Sequence, residues 1–299
     1  MSFFGEILAL TAALCWAFGS LLFSFAGRRV GAFTVNAIRI PIATLVFVLI
    51  SLIAQGMIWP AQATSTQFSW LVFSSLVGLV IGDLCYFKSL VILGPRIASL
   101  LSASSPIFSV FISWVVLNQS LRWYSLLGIV ITLAGLTWVS LERNVKTFGA
   151  QENGSKPWGY FLAGIGALSQ AVGLVAAKLG MLDNVSALSA ATVRMLAAAV
   201  MTWIIAGLQQ RVAGILRGLA DRKALTAMFI AAFVGPVAGI WLSLASIQYT
   251  KVGIAATLMS TTPLFVIPLV MLIHHERPSA RAVIGTVITI AGVAVLMLT

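Results

Sequence analysis

The sequence predicts an all-α, polytopic membrane protein with ten transmembrane helices in two inverted five-helix repeats. Three observations carry that expectation. The 299 residues are 60% hydrophobic and 8% charged, with a mean hydropathy of +1.06, whereas a soluble domain is about 25% charged. Ten apolar stretches can be counted, each about 20 residues long, enough for a helix rising about 1.5 Å per residue to cross a hydrocarbon core of about 30 Å. Finally, the chain contains its own copy. Gly128-Ile129-Val130-Ile131-Thr132-Leu133-Ala134-Gly135 returns 157 residues later as Gly285-Thr286-Val287-Ile288-Thr289-Ile290-Ala291-Gly292. The same offset carries Gly78 to Gly235, Gly82 to Gly239, Ser89 to Ser246, Leu101 to Leu258, Pro106 to Pro263 and Phe108 to Phe265. Such a register defines the architecture before any local reading does.

The first five spans are expected at about 4–26, 31–54, 68–91, 96–117 and 122–141. No basic residue precedes the first run and it exceeds the usual length of a signal h-region. It is therefore read as a retained helix, although Ser24-Phe25-Ala26 resembles a cleavage site. The second five fall at about 158–180, 184–207, 224–247, 252–273 and 279–298. The units are accordingly 1–145, a polar linker at 146–156, and 157–299. Helices are the natural choice because they satisfy their own backbone polar groups in lipid.

Five is an odd number of crossings, so the second copy starts on the opposite side and runs upside down relative to the first. This is the inverted repeat of many secondary transporters. The net charge of +11 is read as membrane orientation and not as nucleic-acid binding. Thirteen basic residues, among them Arg29, Lys88, Arg143, Arg211, Arg217, Arg222 and Lys223, hold or border the loops after helices 1, 3, 5, 7 and 9; Arg122, Lys178 and Lys251 lie opposite. The positive-inside rule then places both termini outside the cytoplasm. Cys15 and Cys85 sit within predicted helices, have no metal or redox spacing, and read as packing residues.

Gly78–Gly82 and Gly235–Gly239 are GxxxG motifs at equivalent positions. They suit either a close crossing on which the two halves move or a static packing seam. Ser99, Ser102, Pro106, Ser109 and Ser113 share a face of the fourth helix, and Thr257, Ser260 and Thr261 gather beside Pro263 in the ninth. Each proline is expected to kink its helix near the bilayer midplane. The hydroxyls either bond back to helix carbonyls or bind a polar solute; the paired clusters favour a cavity. Trp16 lies mid-depth, away from the interface where tryptophan usually sits. Its repeat partner is Gln170, and both, with Ser20, are placed on the solute path, as is Tyr86 nearer its helix end.

Charges within spans are functional candidates by default. Arg39 and Arg194 are equivalent in helices 2 and 7. They suit structural pairing, with Arg39 able to snorkel, or attraction of a substrate carboxylate. Asp83 and Lys88 could gate or pair with such charges, but five residues apart they do not share a helix face. His274 and His275, being adjacent, point different ways and suit a boundary role.

Ser105-Pro106 followed by Gly128 and Gly135, and Thr262-Pro263 followed by Glu276, Gly285 and Gly292, with Trp16 and Gly19 in the first helix, resemble the drug/metabolite transporter superfamily. The chain is similar over nearly its whole length to the ten-helix group built from two EamA-type repeats. The acidic residue usual after a repeat's fourth helix stands as Glu276 in the second copy but as Gln119 in the first. The resemblance implies movement of small organic solutes without ATP hydrolysis. Overall similarity points to bacterial inner-membrane exporters of amino acids, the aromatic branch in particular. Export of another solute class, such as drugs or nucleotide-like metabolites, is the alternative. A membrane enzyme is disfavoured because no Ser–His or carboxylate pair shares a segment. No cofactor or metal is expected. The expected partners are a small-molecule solute and the lipid bilayer, with a single chain able to enclose the path.

Overall fold

A computed structural model describes residues 3–58, 63–93, 98, 101–140, 155–182, 185–266, 269 and 280–298. Among these every regular element is helical. Ser99, His274, His275 and Glu276, singled out above, lie outside the described residues. Helices α1 (Phe4–Val30) and α2 (Ala32–Gln55) are joined by Gly31 alone, at a φ of +87° that favours glycine. Helix α3 (Ser65–Ser74) passes through a π-helical segment, Ser75–Gly82, into α4 (Asp83–Leu93). Helices α5 (Ser105–Leu117) and α6 (Trp123–Ser140) follow. The second half repeats this order: α7 (Lys156–Gly180), α8 (Ala187–Leu208), a short α9 (Val212–Leu219), then α10 (Arg222–Ala232), a second π segment (Phe233–Gly239), α11 (Ile240–Tyr249), α12 (Val252–Met259) and α13 (Ala280–Met297). Six helices among the described residues are long and apolar enough to cross a bilayer, and four shorter apolar ones accompany them. The chain is thus a polytopic, all-helical membrane protein.

The 157-residue register is written into local structure. Thr64 and Asp221, 157 apart, both N-cap the helix that follows: Thr64 accepts from the Gln67 amide at 3.2 Å and Asp221 from the Ala224 amide at 3.0 Å. Both π segments fall at the same place, each holding its GxxxG glycines. The prolines correct a detail of the sequence reading. Pro106 does not kink a continuous helix; a turn at Ala103-Ser104 ends one segment and Pro106 opens the next. Ser260-Thr261 makes the same turn ahead of Pro263. A proline fits the first turn of a helix because its missing N–H would have had no partner there.

The halves interlock by exchange. Helix α1 packs antiparallel on α10, the second π segment and α11, while α7 packs antiparallel on α3, the first π segment and α4. Gly5 meets Tyr249 and Thr250, and Gly19 meets Gly235; Gly180 meets Leu71, and Gly159 meets Leu93. Among the remaining helices, α2 pairs with its equivalent α8 and α6 with its equivalent α13, while α5 packs on α7 and α12. Along α2 and α8 the pairing is polar, with Ser51 Oγ 2.7 Å from Thr192 Oγ1 and Thr44 Oγ1 donating to the Met195 carbonyl at 3.0 Å. Alanines 43, 190, 191 and 198, fully buried, allow the close approach.

Pro41 lies inside α2 and leaves the Ala37 carbonyl without its helical donor. The Trp203 indole N–H takes that place at 3.1 Å, the kind of repair from a neighbouring helix that makes proline tolerable in a span. Trp203→Phe keeps the ring and removes the bond. It is expected to cost about 1 kcal/mol, read as a lower thermal midpoint in detergent.

Asp221 caps α10 and also pairs with Arg29 Nε at 2.8 Å, tying α1 to the second half. The Ala224 amide first, and the Arg29 guanidinium next, hold its carboxyl below the ordinary carboxylate value. A carboxyl whose native pKa is depressed stabilises fully above its unfolded value, near 3.9, and loses that contribution as pH falls through the native value. Asp221→Asn should therefore lower the melting temperature at neutral pH and flatten its fall between about pH 5 and 2.

Candidate functional site

Two glycine crossings define the middle of the molecule. Gly19 lies against Gly235 so closely that a Cβ on Gly19 would stand 3.0 Å from the Gly235 Cα. Its equivalent, Gly173, lies against Gly78, where a Cβ would stand 2.7 Å from the Gly78 Cα. One turn along each crossing the contacts differ. At the first, Trp16 covers Gly239, its indole 3.0 Å from where a Cβ would be. At the second, Gln170 covers Gly82 at 3.3 Å. The equivalence of Trp16 with Gln170, read from the sequence, is thus the equivalence of their positions over the paired glycines.

Beside Gln170 the crossing carries charge. Asp83, the first residue after the π segment, accepts from Arg39 Nη2 at 2.5 Å and from Gln170 Nε2 at 3.2 Å. Arg39 is 5% exposed; it also donates to Asn36 Oδ1 at 2.6 Å and lies 4.9 Å over the Phe23 ring. It does not snorkel, because Asp83 satisfies it at depth. Asp83 likewise pairs with Arg39 and not with Lys88, which is exposed. Arg194, also 5% exposed, sits across the same crossing: its Nη2 would be 3.6 Å from a Cβ on Gly78. Its Nε has no hydrogen-bond partner among the described residues. Ser75 Oγ donates to the Arg194 carbonyl at 2.5 Å and fixes the base of that side chain against the π segment.

The result, among the described residues, is one carboxylate between two repeat-equivalent arginines, a surplus of one positive charge in a buried setting. The offset that relates the halves puts Ile240 where Asp83 stands, so the equivalent position at the second crossing is apolar. Tyr86 adjoins the cluster one turn along α4, its backbone facing Gly166.

The hydroxyl clusters behave differently. Ser20 donates to the Ala17 carbonyl, Thr257 to Gly253, Ser260 to Thr257, Thr261 to Leu258 and Ser113 to Val110, at 2.6–3.1 Å. Each returns its proton to its own helix, so only oxygen lone pairs remain for a ligand. Ser109 is buried with no partner among the described residues. Pro106 is buried, and Ser102 and Pro263 are half-buried, beside the two helix breaks. Helices α5 and α12, which adjoin those breaks, pack together, with Val110 filling the space over Gly253. Sequence reasoning missed the π segments and the Gln170–Asp83 bond; it offered Asp83 as a partner for the buried arginines, and the structure shows that it takes Arg39.

Six long apolar helices and four shorter ones among the described residues, interlocked across glycine crossings with buried charge, define a polytopic membrane protein. Comparison narrows that class. The EamA-like transporter family matches the chain twice, over residues 3–141 and 157–298, and the chain belongs to that family. It is 26% identical over 299 residues to an uncharacterized transporter of Archaeoglobus fulgidus, covering 98% of this chain and 97% of the relative. One solved crystal structure superposes with a TM-score of 0.74 at 22% identity, over 98% of this chain and 96% of that chain, a likeness of fold. The family points to transport and away from catalysis.

Proposed function

We propose that the protein is a secondary transporter that exports amino acids, aromatic ones favoured, by alternating access between two inverted five-helix halves. The ten spans comprise the six long helices and the four shorter ones, and both termini face away from the cytoplasm of a bacterial inner membrane. The antiparallel pairing of equivalent helices supports the inversion, and the double family match supports the division at the polar linker. The observation that carries the substrate reading is Arg194: a buried guanidinium, in surplus over the acid near it among the described residues, whose Nε has no hydrogen-bond partner among them. A charge kept at depth without full pairing is costly, and a solute carboxylate supplies what it lacks. Trp16, over the equivalent crossing, offers an aromatic surface to the side chain of the same solute. Solute binding then shifts the halves only as far as it favours one arrangement.

Proteoliposomes carrying the purified protein should take up radiolabelled phenylalanine and tryptophan faster than empty liposomes, with saturation and mutual competition, in the presence or absence of a pH gradient. Uptake indistinguishable from empty liposomes across a panel of amino acids would defeat the reading. Arg194→Gln separates function from structure. Removing an incompletely paired buried cation should preserve or raise the melting temperature while transport falls roughly tenfold or more. A drop in stability with transport intact would assign Arg194 to the scaffold.

A further inference from the structure

The loop between the second and third helices differs sharply between the two halves. In the first half, 56–64 carries no charge. In the second, 209–221 is longer and folds into α9, which is preceded by Arg211, carries Arg217 in its last turn and is followed by Arg222 and Lys223. Helix α9 is pressed onto the corner of α1 and α2: a Cβ on Gly218 would stand 2.5 Å from Thr34 Cγ2, and Ile215 is buried. Its other face stays open, with Leu216 and Leu219 exposed.

Below α9 runs an open groove of about 530 Å3 whose walls include Pro41, Trp203, Ile215, Leu219, Leu225 and Phe229. These residues come from α2, α8, α9 and α10, and the lining is almost wholly apolar. The groove has a basic mouth. Arg222 and Lys223 open α10 one turn before Leu225, and Phe229 lies seven residues beyond Arg222, about 10 Å along the helix. Arg217, Arg222 and Lys223 are exposed. Arg211 lies 4.9 Å over the Phe33 ring, and Asp221 is the one acid in the loop, already paired with Arg29.

We infer that this groove is a binding site for an anionic glycerophospholipid, with an acyl chain lying along Trp203 and Phe229 and the phosphate held by Arg217, Arg222 and Lys223. Charge complementarity selects this occupant. A zwitterionic lipid fills the apolar walls equally well but leaves the basic mouth uncompensated, and basic pockets between spans are suited to anionic head groups. The repeat does not require the device, since the equivalent loop, 56–64, carries none of these charges. It is therefore an addition specific to the second half, and it stands independently of what the protein carries.

Native mass spectrometry of the detergent-solubilised full chain, offered equimolar phosphatidylglycerol and phosphatidylcholine with identical acyl chains, tests the site. The wild type should retain phosphatidylglycerol preferentially. Each neutralisation among Arg217→Gln, Arg222→Gln and Lys223→Gln should reduce the preference roughly fivefold, and the triple variant should show none. Thr226→Trp, at an exposed position lining the groove, should lower retention of both lipids. Equal retention of the two lipids by the wild type would overturn the proposal, and this arm does not depend on any variant folding. Selectivity surviving in a triple variant of unchanged circular dichroism would overturn it too. Retention unaffected by Thr226→Trp would refute the acyl-chain half of the site.

Discussion

Asp83→Asn is expected to be the most destabilising polar substitution in the protein. Among the described residues the carboxylate is the one acid facing the arginines of the buried cluster, accepting from Arg39 at 2.5 Å and from Gln170 at 3.2 Å. Removing one partner of a buried ion pair costs about 3–5 kcal/mol, because the other charge stays behind without compensation. Here two cations stay behind, and the amide that replaces the carboxylate brings no charge to offset them. The melting temperature and the yield of monodisperse protein in detergent should both fall. A double-mutant cycle identifies the cause: Arg39→Gln in the Asp83→Asn background should cost far less than Arg39→Gln alone. Additive losses would mean that the pair contributes little and that Asp83 acts through its bond to Gln170.

Gly135→Ala is the second large effect, and it acts through shape alone. Helices α6 and α13 make the most extensive contact between the halves. At their crossing a Cβ on Gly135 would stand 2.4 Å from Thr289 Oγ1, 2.6 Å from its backbone nitrogen and 2.8 Å from the Gly285 carbonyl oxygen. Two of those three atoms are backbone and cannot swing aside, so the helices must part. Overpacking of this kind costs about 1–3 kcal/mol, occasionally more. Gly292, facing the Thr132 backbone at 2.4 Å, should respond alike. Gly164→Ala is the matched control, since nothing lies within 4 Å of a Cβ there. In mid-helix it should stabilise by about 0.5–1 kcal/mol. Thermal midpoints of the three variants, measured in one detergent, decide the matter. Equal shifts for Gly135→Ala and Gly164→Ala would mean that the crossing relaxes freely.

Much of this architecture was legible because membrane segments and close crossings leave simple traces. Gly78, Gly82, Gly235 and Gly239 stood out at a common offset, and small residues at helical spacing imply close approach whatever surrounds them. Arg39, Arg194 and Asp83 stood out because charge is rare in an apolar run. Which of them pair could not be read, since Asp83 is 44 residues from Arg39 and 87 from Gln170, and only the packing of α2, α4 and α7 brings them together. The π segments left no trace beyond glycine and proline, because one surplus residue in a turn needs no particular side chain. Helix α9 was hidden for another reason. Eight residues are too few to show a period, and the charges around it read as loop.

The lack of an acid opposite Asp83 carries a thermodynamic consequence. If the halves were perfect counterparts, the inward and outward arrangements of the proposed alternating-access cycle would sit at the same energy level and be equally populated. Asp83 and Ile240 make them unequal, and about 1.4 kcal/mol is enough for a tenfold imbalance. In the alternating-access cycle proposed above, the empty protein therefore has a preferred resting side. That preference fixes which leaflet the vacant protein addresses between cycles, and it leaves net flux to the gradient across the membrane.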